Sequence, residues 1–343
     1  MIFINRDLLR MRNSKKTTFD LHFSITKCIF AKKQTTMKKR YIFLAIVCLI
    51  ACSKDDIEPI PVGVAINNEM AQWLLLFSYD KNRDGILSKE EALAVRRIHI
   101  QEAGETIEGL EHFPNVEQLT IYFGEFTDLD LSSNLKLQDV SIWRTNLQTL
   151  DVTNNTELRR LVAAEVGLES ITLGNQPRLE ILGLYRTKLT SLDVTGARNL
   201  IMLGCTNSLL TEIDLSNNPH LEELSLWRNQ IETLDVSRNP KLRILNISRN
   251  KPLTSIDVSN NPELIEFLVC GNILLTTLDV SNNPNLRSLL CRHLTITTLD
   301  VSNNPNLWQL HCWGNANLTT IYLRTGQTIE RFAKDDHVTI VYR

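Results

Sequence analysis

Apolar residues recur along this chain of 343 residues in a pattern that repeats every 21 or 22 residues. One period, clearest between Leu221 and Leu323, reads L-x-x-L-x-L-x-x-N-x-L-x-x-L-D-V-S-x-N-P-x, with apolar residues at positions 1, 4, 6, 11, 14 and 16. Position 14 is filled in ten successive periods by Leu129, Leu150, Ile171, Leu192, Ile213, Leu234, Ile256, Leu278, Leu299 and Ile321. Ten near-equal periods of this length predict a solenoid, in which each period forms one coil that stacks on the next.

The spacing inside one period predicts short strands and few helices. Apolar residues separated by a single residue, at positions 4 and 6 and again at 14 and 16, follow the period of two that a strand requires. Stacked coils would pair these strands in parallel, about 4.8 Å apart. Pro at position 20 cannot donate a hydrogen bond and therefore marks a corner. At the opposite corner, inward-facing Asn residues are expected to bond open amides as a ladder. These are Asn229, Asn250, Asn272 and Asn315.

These periods resemble the leucine-rich-repeat family, in its nested bacterial variety of 21 residues, over roughly residues 95–323. The resemblance implies a right-handed coil with parallel strands and a role in binding. It does not name a ligand. We therefore predict a β-rich solenoid with extended backbone on both long sides of each coil.

The segment that begins at Met37 reads MKKRYIFLAIVCLIACSKDD and predicts an export signal over 37–51. Three basic residues precede an apolar run that is too short to span a bilayer. Leu49 to Cys52 resembles the lipobox of bacterial lipoproteins, which implies lipid on Cys52, a tether over 52–66 and a place in the outer membrane of a Gram-negative envelope. A core helix is the alternative for the apolar run, but it does not explain the basic flank. Residues 1–36 have no motif, and we interpret them as a start-site artefact or a disordered segment.

An amphipathic helix is predicted over residues 67–79, and the loop after it matches the EF-hand calcium loop at every ligand position. Gly85 allows the sharp turn that this loop needs. The alternative is a solvated acidic turn. Since no second loop follows, we expect a structural Ca²⁺ site and not a sensor. The predicted ligands are Asp80, Asn82, Asp84, the carbonyl of Ile86, Ser88 through a water molecule, and both oxygens of Glu91.

Both ends of the solenoid are predicted to carry caps. Residues 67–94 would form the N-terminal cap, because Val95, Ile98 and Ile100 read as an extra coil directly after it. At the other end, Thr328–Phe332 and His337–Tyr342 read as two strands of a hairpin that caps the solenoid over 324–343.

The net charge and the absence of catalytic motifs limit the classes of function that the sequence allows. Residues 1–51 hold 11 of the 37 basic and 2 of the 39 acidic residues, which leaves the remainder with 26 basic and 37 acidic residues and a net charge of −11. Such a surface disfavours nucleic acid and allows membrane attachment only through the lipid. The sequence has no G-x-S-x-G, P-loop or H-E-x-x-H motif, and the prediction is that the protein is not an enzyme. Cys205, Cys291 and Cys312 occupy position 6 and are expected in the core.

Aspartates fill position 15 in eight periods: Asp130, Asp151, Asp193, Asp214, Asp235, Asp257, Asp279 and Asp300. One interpretation is a stripe that binds cations. The other, which we favour, is that each carboxylate accepts hydrogen bonds from Ser or Thr hydroxyls at positions 13 and 17.

Positions 7 and 8 are different, because they combine large rings with cationic side chains just after the strand. The residues concerned are Tyr122, Trp143, Arg144, Tyr185, Arg186, Trp227, Arg228, Arg249, His293 and Trp313. Side chains at position 7 are expected to point away from the core, so a ring there gains little from folding. We predict a binding face for a protein partner in adhesion or recognition, on a monomeric protein. A glycan partner is the alternative, since rings also stack on sugars, and surface aromatics without any partner remain a third interpretation.

Overall fold

Each period forms one coil in the computed structural model of the protein, which describes residues 78–84 and 87–343. The predicted signal segment 37–51, Cys52, the tether 52–66, the predicted helix up to residue 77, and Ile86 lie outside the described residues. Within the described chain, apolar side chains of successive coils form one continuous core.

The larger sheet has twelve parallel strands in chain order, one from each coil. They are β1 (Arg97–Ile100), β2 (Gln118–Ile121), β3 (Asp139–Trp143), β5 (Arg160–Ala164), β7 (Ile181–Tyr185), β8 (Met202–Thr206), β9 (Glu223–Ser225), β10 (Ile244–Asn246), β11 (Glu266–Leu268), β12 (Ser288–Leu290), β14 (Gln309–His311) and β16 (Arg331–Ala333). Position 4 stays in register along the sheet, and even the step of 22 residues pairs Leu245 with Phe267. The predicted parallel β-solenoid is confirmed.

The opposite side of the coils has strands in two stretches. There β4 (Thr149–Asp151) pairs with β6 (Ser170–Thr172), and β13 (Thr298–Asp300), β15 (Thr320–Leu323) and β17 (Thr339–Tyr342) form a sheet of three. Elsewhere in the described chain, positions 14–16 form no regular strand. Extended backbone on both sides of the coil is therefore confirmed for these stretches and not for every coil.

One α-helix, α1 (Lys89–Ala94), lies wholly within the described residues, and Leu110–His112 forms a 3-10 turn. The Ser88 Oγ accepts the N–H of Glu91 at 3.2 Å, and the Glu91 carboxylate accepts the N–H of Ser88 at 2.9 Å. This capping box starts the helix. The chain then enters β1, where Ile98 pairs with Leu119, so the predicted extra coil is confirmed.

The hairpin predicted at the C-terminus is wrong. β16 pairs in parallel with β14, whereas β17 pairs in parallel with β15 in the other sheet, so the two strands do not pair with each other. The physical reason is that both strands continue the stacking of the core: Phe332 lies in register with Leu310, and Ile340 with Ile321. The segment is one more coil.

The cysteines of position 6 are confirmed as core residues. Cys205, Cys291 and Cys312 are fully buried and form no disulfide. Burial raises the pKa of Cys205 to about 11 and that of Cys312 to about 12. These thiols therefore stay protonated and pack as small apolar side chains.

The Asn ladder predicted at position 9 is present. Asn250 Nδ2 donates to the carbonyls of Leu226 (3.0 Å) and Ile247 (2.8 Å), and its Oδ1 accepts the N–H of Ile231 at 3.2 Å. Asn229, Asn272 and Asn315 make the same kinds of bond. Every polar atom of the Asn250 amide group therefore has a partner.

A second ladder, at position 19, escaped the sequence analysis. Asn261 Nδ2 donates to the carbonyls of Val236 (3.0 Å) and Asn239 (2.9 Å), but its buried Oδ1 has no partner. The same holds for the side-chain oxygens of Asn134, Asn155, Gln176, Asn218, Asn239, Asn283 and Asn304. Its signal was in the sequence, because an Asn precedes the Pro in most periods.

Candidate binding face

The rings and cationic side chains predicted to bind a partner follow the ends of the strands in the larger sheet. We call this surface the strand-end face. Its members are Tyr122, Trp143, Arg144, Tyr185, Arg186, Trp227, Arg228, Arg249, His293 and Trp313. Tyr122 and Trp313 are the most exposed rings, at 36% and 38%, whereas Trp143, Tyr185 and Trp227 are half-buried. Because neighbouring strands stay in register, these residues recur at the same place in successive coils.

The backbone turns left-handed at position 8 in every coil from that of Trp143 to that of Trp313. In nine consecutive coils from Arg144 to Gly314, φ at this position lies between 53° and 77°. Only glycine, and to a lesser degree Asn, adopts this conformation without strain. Glycine occupies two of the nine positions, but Arg144, Arg186, Arg228 and Arg249 occupy four. Arginine is therefore kept where it costs on the order of 1 kcal/mol, and such strain clusters at functional sites.

Tyr185 is a packing residue as well as a member of the face. A Cβ added to Gly183 or Gly204 would lie 2.8 Å or 2.9 Å from atoms of the Tyr185 phenol group. The ring thus fills the space that these two glycines leave open on the sheet. Burial also raises the pKa of its hydroxyl. Position 7 alone did not predict this, because the two glycines come from adjacent strands.

In the N-terminal coils the arginines are neutralised by carboxylates one coil away. Glu165 binds Arg144 Nε at 2.9 Å and an Arg186 nitrogen at 3.0 Å, and Arg160 binds Asp139 at 2.8 Å. These pairs are largely exposed and contribute little to stability. Their effect is to reduce the positive charge of this part of the face.

In the C-terminal coils the guanidinium groups lie over aromatic rings instead. Arg228 lies 5.4 Å from the ring centroid of Trp227, and Arg292 lies 5.2 Å from that of Trp313. Neither arginine forms an ion pair with a carboxylate among residues 78–84 and 87–343, and Arg249 forms none there either. These cation–π contacts hold the side chains in place without cancelling their charge.

The aspartates at position 15 belong to turns at the opposite corner. Each of the eight carboxylates accepts the backbone N–H of the residue two positions later, at 2.8 to 3.0 Å. The hydroxyls of Thr195 and Ser302 add bonds at 2.7 Å. The structural interpretation of this row is confirmed, with the backbone N–H and not the hydroxyl as the common donor.

The predicted calcium loop has its ligands turned toward its own backbone. Asp80 Oδ1 accepts the N–H of Arg83 at 2.6 Å, and Asn82 Oδ1 accepts that of Asp84 at 2.9 Å. Glu91 accepts N–H groups from Lys81 (2.7 Å) and from Asn82. Burial alone would raise the pKa of Glu91, but hydrogen bonds from Ser88, Lys81 and Asn82 outweigh it and lower the pKa.

The oxygen-only donor set of this loop fits calcium chemically. In the described part of the loop, however, the carboxylates do not converge, and no group of three or more His, Cys, Asp or Glu in the described chain could hold a metal ion as placed. Calcium binding would require Glu91 to exchange its backbone partners for the ion.

The coils form a parallel β-solenoid. A family model described as Leucine Rich repeats (2 copies) matches residues 219–262. No curated protein matches the sequence significantly.

Solved structures of bacterial repeat proteins are similar to this chain. The functional domain of InlJ from Listeria monocytogenes, which includes a cysteine ladder, shares 21% identity over 69% of this chain and 69% of that one, with a TM-score of 0.43. A leucine-rich-repeat protein of Leptospira interrogans shares 18% over 68% and 79%, with a TM-score of 0.47. An internalin, InlF, of Listeria monocytogenes shares 18% over 81% and 97%, with a TM-score of 0.44.

Proposed function

We propose that this chain is a binding protein without catalytic activity, which recognises a protein partner through the strand-end face. The observation that supports this best is the row of arginines in left-handed backbone, where glycine would relieve strain. Tryptophan and arginine together are the residues most enriched at energetic centres of protein interfaces. The face offers both, on a sheet that holds them at fixed intervals.

Site-specific photo-crosslinking on whole cells tests this proposal. A crosslinking amino acid at Gln230, exposed beside Arg228, should capture a protein, whereas the same group at Arg238, on the opposite corner of the coil, should not. Trp227→Ala and Arg228→Asn should weaken capture about 30-fold, as loss of about 2 kcal/mol at an interface centre implies. Asp214→Asn is the matched control. Equal capture from both positions, or no loss in the face variants, contradicts the proposal.

A glycan partner is less well supported by the same contacts. Stacking on a sugar uses an open ring face, but guanidinium groups lie over the rings of Trp227 and Trp313. A glycan array probed with the intact protein and with Trp143→Ala separates the alternatives. Glycan binding that depends on Trp143, without any crosslinked protein, would favour the glycan.

We further propose that the protein is attached to the bacterial envelope by lipid on Cys52. The support is the sequence, since the segment lies outside the described residues; within them, no helix is long and apolar enough to cross a membrane. Stable anchoring takes two or three acyl chains, as lipoproteins carry. Cys52→Ala should leave the protein soluble or uncleaved when membrane and soluble fractions are compared. A processed Cys52→Ala protein that stays in the membrane fraction contradicts the anchor.

The loop from Asp80 to Glu91 is proposed as a calcium clip. Asp80, Asn82, Asp84, the carbonyl of Ile86, Ser88 through a water molecule, and Glu91 would hold the ion, and binding would fix the loop against the start of α1. A hundredfold excess of calcium over its dissociation constant should stabilise the fold by about 2.7 kcal/mol. Glu91→Gln should remove that gain, while it keeps the capping box with Ser88. Identical melting curves in calcium and in chelator contradict the clip.

A further inference from the structure

We propose that the last coils of the larger sheet bind a segment of the partner that carries two carboxylates. We call this site the C-terminal cationic cluster, and it comprises Arg292, His311, Arg331, Trp308 and Trp313. The inference rests on the proposed function and specifies the chemistry of the partner.

The cluster is formed by three adjacent strands. His311 ends β14 and lies in register between Leu290 of β12 and Ala333 of β16. Arg292 follows β12 by two residues, and Arg331 begins β16. Partial burial, and then the charges of Arg292 and Arg331, lower the pKa of His311. Both arginines therefore act on the same small area of the sheet.

The two guanidinium groups are held in place but not neutralised. Arg292 lies 5.2 Å from the ring centroid of Trp313, and Arg331 lies 4.9 Å from that of Trp308. Neither forms an ion pair within the described chain, and the buried Nε of Arg292 has no hydrogen-bond partner there. The charge of both guanidinium groups is therefore available to an anionic ligand.

Two of the four carboxylates of residues 287–343 are engaged elsewhere. Asp335 accepts the N–H groups of Gly314 (2.8 Å) and Asn315 (3.1 Å), and Asp300 binds Arg343 on the other side of the coil. Residues 287–343 hold six Lys and Arg against four Asp and Glu, whereas residues 52–343 together have a net charge of −11. The cluster is a cationic exception on an acidic chain, which favours an acidic ligand.

The arrangement favours carboxylates on an extended peptide. Arginine presents paired planar donors that match a carboxylate. Arg292 lies two residues beyond Leu290, and Arg331 lies two residues before Ala333, in strands two coils apart. Their Cα atoms are therefore offset by roughly 13 Å along the strands and roughly 10 Å along the stack, or roughly 16 Å in all. In an extended β-type segment, residues i and i+4 face the same side roughly 13 Å apart, and the arginine side chains span the remaining distance. The partner segment is therefore expected to contain Glu-x-x-x-Glu or its Asp equivalent.

Fluorescence anisotropy with labelled peptides tests this inference on the full chain. The probe is a Gly-Ser peptide with one Glu-x-x-x-Glu motif, and its matched control has Gln-x-x-x-Gln. The acidic peptide should bind at least about tenfold tighter, and added salt should weaken it. Arg292→Gln combined with Arg331→Gln should remove the difference. Arg159→Gln combined with Arg178→Gln removes two arginines that are already paired with Glu180 and Glu157, and it should change nothing.

Three outcomes overturn the inference. They are equal binding of the acidic and amide peptides, unchanged binding by a cluster variant that melts normally, and tighter binding of a sulfated oligosaccharide than of the acidic peptide. The variant with Arg331→Gln alone provides a second test, because this exposed side chain can be changed without disturbing the core. If the peptides fail while crosslinking at Gln230 still depends on Trp227, this inference falls and the proposed function stands.

Discussion

Both corners of each coil must allow the coils to stack at the same spacing, yet the side chains at the two corners have different roles. At the corner of positions 15 to 20, Asp257 and Asn261 both bond backbone groups. The five coils from Asp214 to Asp300 share the sequence D-V-S-x-N-P, with Leu215 in place of Val in the first of them. At the strand-end corner, the Asn of position 9 has such a task, and Ser248 Oγ also accepts the N–H of Cys270 at 3.1 Å. Positions 7 and 8 vary from coil to coil and retain arginine in strained backbone. Tyr185 packs over two glycines, but the arginines at position 8 relieve no strain, and such variation is typical of a recognition surface.

The largest expected difference between the two corners is the loss of stability when one Asn is removed from the ladder at each corner. Asn250→Ala leaves two carbonyls and one N–H unpaired and should lower the free energy of unfolding by about 3 kcal/mol or more. Asn261→Ala also leaves two carbonyls unpaired, but it removes an oxygen that is already unpaired, so the loss should be about 1 kcal/mol. Urea unfolding of both variants measures the difference. Equal losses would mean that the unpaired oxygens carry no energetic cost.

A double-mutant cycle decides whether Tyr185 belongs to packing or to binding. Gly204→Ala places a methyl group against the ring and should destabilise the fold by about 1–2 kcal/mol. In a Tyr185→Ala background the same change should cost much less, because the space is then open. Thermal or urea unfolding of the four proteins gives the coupling. Additive losses would show that the ring does not fill the space above the glycines.

Substitutions at position 8 should separate stability from recognition. Arg249→Gly or Arg249→Asn relieves the left-handed strain and should raise the free energy of unfolding by about 0.5 kcal/mol, while it weakens partner capture. Gly271→Ala is the reverse control at the same position of the next coil, where φ is 74°, and it should lower stability by about 1 kcal/mol. If Arg249→Gly loses stability, the arginine is kept for folding and not for binding.

The smallest expected effect is on the stability of the fold at low pH. Hydrogen bonds from Ser216 and Ser259 hold the pKa of Asp214 and Asp257 below the ordinary value of 3.8. A lowered pKa in the folded state stabilises the ionised form, so this contribution is complete above pH 3.8 and disappears as the pH falls through the lower folded-state value. The melting temperature should therefore drop below about pH 4, and Asp214→Asn with Asp257→Asn should flatten that drop. A variant curve parallel to the wild type would contradict it.

The sequence predicts the parts of this molecule that repeat, because register and core follow directly from the spacing of apolar residues. Leu245 opposite Phe267 and the Asn250 ladder are examples. It did not predict the left-handed backbone of Arg228, since arginine carries no signal for that conformation; Gly271 and Gly314 at the same position were the available clue. Contacts such as Arg292 over Trp313 escaped because they join different coils. The hairpin prediction was wrong because the strand pattern of two neighbouring segments does not specify their partners: β16 extends β14, and β17 extends β15.

The constant length of the coils gives the solenoid a defined response to a pulling force. Each coil holds 21 or 22 residues and contacts only its neighbours, so a pulling force should release coils one at a time from an end. A released coil of this length extends by roughly 70–79 Å while shortening the stack by about 5 Å. Force–extension traces should then show a sawtooth pattern with force peaks about 70 Å apart. A protein fixed to a membrane at one end would lengthen in these increments before the attachment broke.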